Sequence, residues 1–226
     1  MSILDPPKVS VIIPTMNEEK SVGLVIDEVN KALGAIPHEV LVVDTDSKDH
    51  TREIASGKGA VVIDEPRRGY GRAYKTGFEK AQGEIIATLD ADMTYPAEML
   101  PRLVEMLEKD NLDFITTNRF ADMQKGAMSA KHRLGNWVLS VTARVLFRVR
   151  VRDSQSGMWV FRRSILPDLQ LESDQMSLSE EIKVEAFRKK RAAEVPIAYR
   201  LRVGDVKLSS WKDGFGNLKY LFRKRF

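Results

Sequence analysis

"EIIATLDADMTYPAEMLPRLVEMLEK", residues 84–109, runs from an apolar strand through an acidic pair into a helix. Ile85, Ile86, Ala87 and Leu89 put apolar side chains on both faces, as a strand covered on both sides requires. Asp90 and Asp92 close the run. Residues i and i+2 of an extended chain point the same way, so the two carboxylates can face one ion. Like charges that close resist burial unless something positive lies between them. Mg²⁺ typically takes one or two carboxylates and leaves its other positions to water and phosphate oxygens. An isolated Asp-x-Asp also reads as a helix cap, with Asp92 or Thr94 accepting from free amides. Pro96 suits a first helical turn, and Pro101 is expected to perturb the helix.

Working outward, "KVSVIIPT" (8–15), "HEVLVVDT" (38–45), "AVVIDE" (60–65) and "LDFITTNRF" (112–120) read as further short strands rich in Val and Ile. Helical patterns separate them: "NEEKSVGLVIDEVNKAL", "DHTREIAS" and "GRAYKTGFEKAQ". Alternation of this kind predicts an α/β fold with a mainly parallel central sheet, right-handed crossovers and helices on both faces. Ligands of such sheets bind beyond the carboxyl ends of the strands. Four polar clusters fall there: Thr15 to Glu18, Asp44 to Asp46, Asp64-Glu65 and Asp90 to Asp92. Their mutual repulsion predicts a cation or polar ligand on that rim.

The alternation stops after residue 120. Residues 129–148, "SAKHRLGNWVLSVTARVLFR", predict a helix with Leu134, Trp137, Val138, Val141 and Val145 on an apolar stripe beside Arg133, Arg144 and Arg148. "SGMWVFRR" and "AAEVPIAYRLR" predict strands, "SLSEEIKVEAFRKK" a helix, and residues 213–225 a final basic helix. The chain divides into an alternating α/β half, 1–120, and a second half, 121–226, packed with it as one domain.

Bulk properties narrow the classes. The 226 residues are 43% hydrophobic, ample for a core, and carry a net charge of +4. Cysteine is absent, which excludes disulfides and thiolate metal sites and fits a reducing compartment. The N-terminus lacks a signal-peptide pattern, and no run approaches the roughly 18–20 apolar residues of a spanning helix. Any membrane association is therefore expected to be peripheral. From Arg119 to Arg152 the basic residues far outnumber the one acid, Asp122, which suits a solvated face or a surface for phosphates or anionic lipid. The glycines of "RRGYGRAYKTG" follow the third strand rather than the first, so they are not a dinucleotide fingerprint, and no Walker A sequence is present. That loop reads as a tight turn, or as a way to bring Arg68 and Arg72 to a phosphate.

"VSVIIPTMNEE", "VLVVDTDSKDHT", "RGYGRAYKTGFEKAQGEIIATLDADMTYP", "DSQSGMWVFRR" and "VPIAYRLRVGDVKL" closely resemble, in order, family 2 glycosyltransferases of the GT-A fold, and among them the group of dolichol-phosphate mannose synthase. The resemblance implies sugar transfer from a nucleotide-sugar to a polyprenyl (dolichyl) phosphate on the cytoplasmic face of a membrane, with Mg²⁺ or Mn²⁺ on Asp90 and Asp92. It implies a nucleotide pocket of Pro14, Thr15, Asn17, Glu18, Asp44, Asp46, Arg72, Asp90 and Ala91. It further implies acceptor-phosphate residues Arg119, Arg133, Arg202, Ser156, Gly157, Glu180 and Lys207, with Asp153 and Arg202 beside the metal pair in catalysis. Thr94 stands where many relatives carry a glutamine ligand, and the Gln-x-x-Arg-Trp signature of processive synthases is absent, which implies a single transfer.

On this footing the helix over 130–150 has two readings: packed on the core, or lying among headgroups through Trp137, Leu139, Leu146 and Phe147 with Arg144 and Arg148 on lipid phosphates. Two other functions fit parts of the pattern: a sugar-phosphate nucleotidyltransferase, and a nucleotide- or lipid-phosphate-binding module without turnover. The first calls for a Gly-rich, Arg-containing loop after the first strand, where "PTMNEE" stands. Nucleic-acid binding is the weakest reading. UDP-glucose, UDP-N-acetylglucosamine and GDP-mannose are all open as donors.

Overall fold

The computed structural model describes residues 6–204 and 210–226. Seven strands form one sheet: β1 (Val9–Thr15), β2 (His38–Asp44), β3 (Val61–Asp64), β4 (Ile85–Thr88), β5 (Phe114–Met123), β6 (Trp159–Arg162) and β7 (Ala192–Tyr199). Their order is β3-β2-β1-β4-β6-β5-β7. β1 to β4 pair in parallel, β6 runs antiparallel between β4 and β5, and β7 lies parallel to β5. Strands from both halves of the chain thus share one sheet.

Period-two alternation in the strands splits the core. Val11 and Ile13 face α1 (Val22–Leu33) and α4 (Leu100–Lys109), where Val25, Ile26, Val29, Leu103 and Leu107 complete one apolar layer. Ile12, Leu41 and Phe161 face α3 (Tyr70–Lys80) and α6 (Leu178–Lys189), packing on Tyr74, Phe78 and Ile182. A short helix, α2 (Thr51–Gly57), lies beside α1. A third cluster joins α5 (Ala130–Phe147) to α7 (Ser210–Arg225): Leu139, Ala143 and Phe147 pack with Val184 and Leu221.

Two sequence expectations change here. Pro101 does not disturb a helix interior, because α4 begins at Leu100 after a 3-10 turn over Ala97–Met99, leaving the proline in the first turn where its missing N–H costs nothing. Leu139 and Phe147 are core residues of the third cluster and cannot lie among headgroups, whereas Leu134, Trp137, Val138 and Val145 are exposed.

The topology sets the site. From β1 the chain builds one way through β2 and β3 and the other way through β4, so the carboxyl ends of β1 and β4 open a crevice. Because β6 runs backwards, the loop that precedes it reaches the same rim, and so do the ends of β5 and β7.

Candidate active site

Asp90 and Asp92 follow β4 directly, and their surroundings differ. The Tyr70 and Tyr74 hydroxyls each stand 3.4 Å from Asp90 Oδ1. Burial, then the neighbouring Asp92, pushes the Asp90 carboxyl up to about 7. Asp92 Oδ1 accepts from the Thr94 amide (3.1 Å) and hydroxyl (2.6 Å), while Oδ2 meets an Arg202 guanidinium nitrogen at 2.5 Å. Arg202 arrives on the strand-like segment after β7, pinned by Val203 N–H to Asp92 O and Arg200 N–H to Thr94 O. The Thr94 hydroxyl, by donating to Asp92, fixes the orientation of that carboxylate.

Gly157 closes the crevice opposite. A Cβ there would sit 2.5 Å from the Tyr70 hydroxyl and 3.3 Å from Asp90 Oδ1, so glycine is what allows this loop to touch the acidic pair. Its N–H donates to the Tyr95 hydroxyl at 2.6 Å.

The loop over 153–157 holds an arginine in place. The pairing of β5 with β7 shifts register between Asn118 and Asp122, a bulge that frees Arg119 to turn. Its Nε and a terminal nitrogen grip Asp153 at 2.7 and 2.8 Å, and its amide donates to the same carboxylate at 3.0 Å. Burial alone would raise the Asp153 carboxyl, but Arg119 outweighs it and holds the group below the usual carboxylate range. The Arg119 guanidinium also lies over the Tyr199 ring, 5.4 Å from its centroid.

Beneath the loop, the buried Lys183 ammonium donates to the carbonyls of Asp153 (3.1 Å) and Ser156 (2.6 Å), and burial brings it down to about 7. Ser156 is wholly buried, its hydroxyl bonded to Thr117. Glu180 accepts from Gln155, its other oxygen has no partner, and burial pushes it up to about 8. Gln155 in turn accepts from Asn217 of α7 at 3.0 Å.

On the β1–β2 side, Thr15 donates to Asp44 at 2.8 Å, and Asp44 also receives both Ser47 groups, its amide at 3.0 Å and its hydroxyl at 2.5 Å. Asn17 Oδ1 accepts from the Lys48 amide, and the Glu18 amide donates to Thr51. Asp46 pairs with Lys48, and Arg72 turns to Glu65 at 3.4 Å. Asp64 pairs with Arg52, and Glu65 with Arg67, which holds it at about 2. Three acidic strand ends thus find hydroxyls or cations within the protein, and the repulsion expected to demand a ligand across the whole rim is confined to Asp90 and Asp92. Pro14 precedes Thr15, the last residue of β1, and Ala91 is buried between the two aspartates.

A cavity of about 520 Å³ opens from this corner. Thr94, Arg119, Gln155, Tyr199 and Arg202 line it on the site side, and its walls are mostly apolar, with Val138 and Leu139 of α5 and Phe215 and Leu218 of α7, joined by Lys131, His132 and Asn136. Arg133 is not part of it and lines a separate cavity with Arg144 and Arg152. Lys207 lies outside the described residues.

Residues 10–170 match the sequence profile of glycosyl transferase family 2. The chain is 34% identical over 208 residues to the dolichyl-phosphate hexose transferase of Haloferax volcanii, an alignment covering 91% of this chain and 88% of that one. The chain belongs to glycosyl transferase family 2.

Other relatives of this family 2 chain are longer. It is 36% identical to the low-salt glycan biosynthesis hexosyltransferase Agl6 of Haloferax volcanii, with 95% of this chain aligned but only 53% of the relative. It is 28% identical to the dolichol-phosphate mannosyltransferase of Pyrococcus furiosus, covering 96% of this chain and 63% of that one. The chain spans between half and two thirds of these two relatives. Glucosyl-3-phosphoglycerate synthase of Mycobacterium tuberculosis, solved with Mg²⁺ and UDP, superposes with a TM-score of 0.78 at 19% identity over 97% of this chain and 79% of that one. The fold is therefore that of the GT-A glycosyltransferases, as the sequence predicts.

A divalent cation suits the acidic corner of this family 2 chain. Among the described residues no third Asp, Glu or His joins Asp90 and Asp92, so the protein offers two hard oxygen ligands and leaves the rest to water and phosphate. A carboxyl that burial and a like charge hold at about 7 is the kind of group a cation would relieve.

Several contributors were missed from sequence. Tyr70, Tyr74 and Tyr95 read as ordinary helix and loop aromatics, yet all three hydroxyls converge on Asp90 and Gly157. Lys183 was missed as well: α6 buries four ionisable residues, and their polar partners inside are seen only in the fold.

Proposed function

We propose that this family 2 glycosyltransferase moves a hexose, with inversion, from a nucleotide-diphosphate sugar to a polyprenyl phosphate at the cytoplasmic surface of a membrane, aided by Mg²⁺ or Mn²⁺. One observation carries the reading: a mostly apolar cavity is lined by two arginines, Arg119 and Arg202, and Arg202 contacts Asp92. An isoprenoid chain matches the walls, and a phosphate matches the arginine end. The names of the Haloferax and Pyrococcus relatives support a dolichyl-phosphate acceptor.

Asp90 and Asp92 would hold the cation against the donor's diphosphate, where it supplies Lewis-acid neutralisation of the leaving group. Pro14, Thr15, Asn17, Glu18, Asp44, Asp46 and Ala91 frame the nucleoside side of the crevice in this reading, with Arg72 at its edge. The acceptor phosphate attacks C1 through one of its oxygens, and the C1–oxygen bond to the diphosphate breaks with its electron pair going to the leaving group. No general base is required, because a phosphate monoester with a second pKa near ~6 is already largely ionised at pH 7. The task is to bring two anions together. Arg119, locked by Asp153, is a fixed cation that need not reorganise as charge moves. Arg202 spans from Asp92 to the cavity. Asp153 acts through Arg119 as a positioning residue, as do Ser156, Gly157 and Glu180 through the loop they hold.

Peripheral membrane contact is consistent with the surface. Among the described residues no helix is long and apolar enough to cross a bilayer, while Trp137, Val145, Phe215 and Phe222 on α5 and α7 are exposed. The test is a panel of UDP- and GDP-hexoses with a polyprenyl phosphate and with the matching dephosphorylated polyprenol. Lipid-linked sugar is expected only with the phosphate. Equal transfer to the polyprenol, or none with any donor, contradicts the proposal.

A further inference from the structure

The other face of α5 borders a second cavity, about 640 Å³ and open to solvent, with Leu134 on the ridge between the two. Arg133, Trp137 and Arg144 line it from one stripe of α5, and Arg152 lines it from the segment before β6. Among the described residues none of these three guanidinium groups lies within salt-bridge distance of a carboxylate. Arg144 Nε is shut off from solvent and makes no hydrogen bond. The side chain of Glu194, close by, is engaged by the amides of Arg152 and Asp153, both at 2.8 Å. Arg148, by contrast, caps α5 in a left-handed conformation and does not line the cavity.

Three planar donor forks around one opening, without a counter-charge, form a site for an oxyanion with several acceptor oxygens. What surrounds the opening selects among phosphates. Leu134 is 62% exposed, Trp137 55% and Val145 71%, so aliphatic and indole surface flanks the arginines. A basic, aromatic and aliphatic helix face is what the headgroup layer of an anionic membrane accommodates. We propose that this cavity binds the phosphate headgroup of an anionic membrane phospholipid, distinct from the acceptor groove across α5. α5 is then a septum between an anchoring lipid and the acceptor lipid, and the seated headgroup fixes the height of the groove mouth above the bilayer. The inference rests on the membrane-surface part of the proposed function, but it is read by binding alone.

The experiment is cosedimentation of the full chain with phosphatidylcholine vesicles, with and without phosphatidylglycerol. Wild type is expected to prefer the anionic vesicles by about tenfold or more, given the size of each basic contribution at such a surface. Arg144→Gln/Arg152→Gln should lose most of that preference. Arg144→Lys/Arg152→Lys keeps the charge but not the forks, and should still lose severalfold. Transfer in detergent to a short-chain polyprenyl phosphate, served by the other face of α5, should be unchanged in both pairs, which separates this site from the proposed activity. Should substitution at Arg144 prevent folding, Arg152→Gln and Arg152→Lys alone carry the comparison. The proposal is overturned if the lysine pair binds like wild type, meaning a diffuse basic surface, if the glutamine pair is unaffected, or if an oligonucleotide is retained more tightly than the vesicles.

Discussion

Arg202 sits with a guanidinium nitrogen 2.5 Å from Asp92 Oδ2, on the carboxylate that a divalent cation would share with Asp90. An arginine there offsets the charge of Asp92 before any donor arrives, and it opposes a second cation at the same oxygen. Arg202→Gln is therefore expected to bind Mn²⁺ alone more tightly, by about tenfold for the ~1.4 kcal/mol of one removed repulsion, while transfer falls by at least that factor. Calorimetry with Mn²⁺ and a transfer assay check the two halves. Weaker Mn²⁺ binding in the variant would contradict the arrangement.

The Arg119–Asp153 pair is buried and bidentate. Removing one partner of such a pair leaves a charge without compensation, at about 3–5 kcal/mol. Asp153→Asn should lower unfolding free energy by an amount in that range in urea titrations. Transfer measured where the variant is still folded should also drop, since Arg119 loses its fixed orientation.

Gly157 is a close-approach glycine. The methyl group of Gly157→Ala would collide with the Tyr70 hydroxyl and press on Asp90. A stability cost of about 1–3 kcal/mol is expected, as for other overpacked sites, together with loss of most transfer activity. Relief by Tyr70→Phe in the double variant would localise the clash, and a lack of coupling between the two changes would refute it.

Glu180 gives the fold a pH signature. Its folded value of about 8 lies above its ordinary one, so between pH 5 and 7 the folded state keeps a proton that the unfolded state has released. Stability from this group is full at low pH and declines as pH rises toward 8. Lys183, shifted down to about 7, works the other way but only above that pH. Asp90, also held at about 7, adds a decline of the same sign between pH 5 and 7, so Glu180 is read from the difference between wild type and Glu180→Gln. Across that window wild type should lose more stability than Glu180→Gln, by on the order of 1–3 kcal/mol, with the remaining Asp90 slope common to both. Thermal midpoints at matched ionic strength are the measurement.

Much of the scaffold was legible because its strands carry apolar residues on both faces, a pattern that only a doubly covered sheet explains. The acidic pair was legible for a similar reason: two carboxylates at a strand end is a local feature. Partners at long sequence separation were not. Nothing local to Asp92 announces Arg202, and nothing near Arg119 announces a carboxylate from another loop. The amphipathic reading of α5 failed at Leu139 and Phe147 because α7 covers them, a contact between elements far apart in the chain. Arg133 illustrates the same limit, since helical phase rather than sequence position decides which cavity it lines.

In the proposed function, Asp92, Arg202 and Arg119 form one corner where a nucleotide-bound sugar meets a lipid phosphate. The most direct test of that role is formation of polyprenyl-phosphate hexose by wild type and Asp92→Asn, each with Mn²⁺ and with EDTA. The account predicts product only for wild type with the metal, with Asp92→Asn folded but reduced by at least about a hundredfold. Product from Asp92→Asn at the wild-type rate, or from wild type in EDTA, would contradict it.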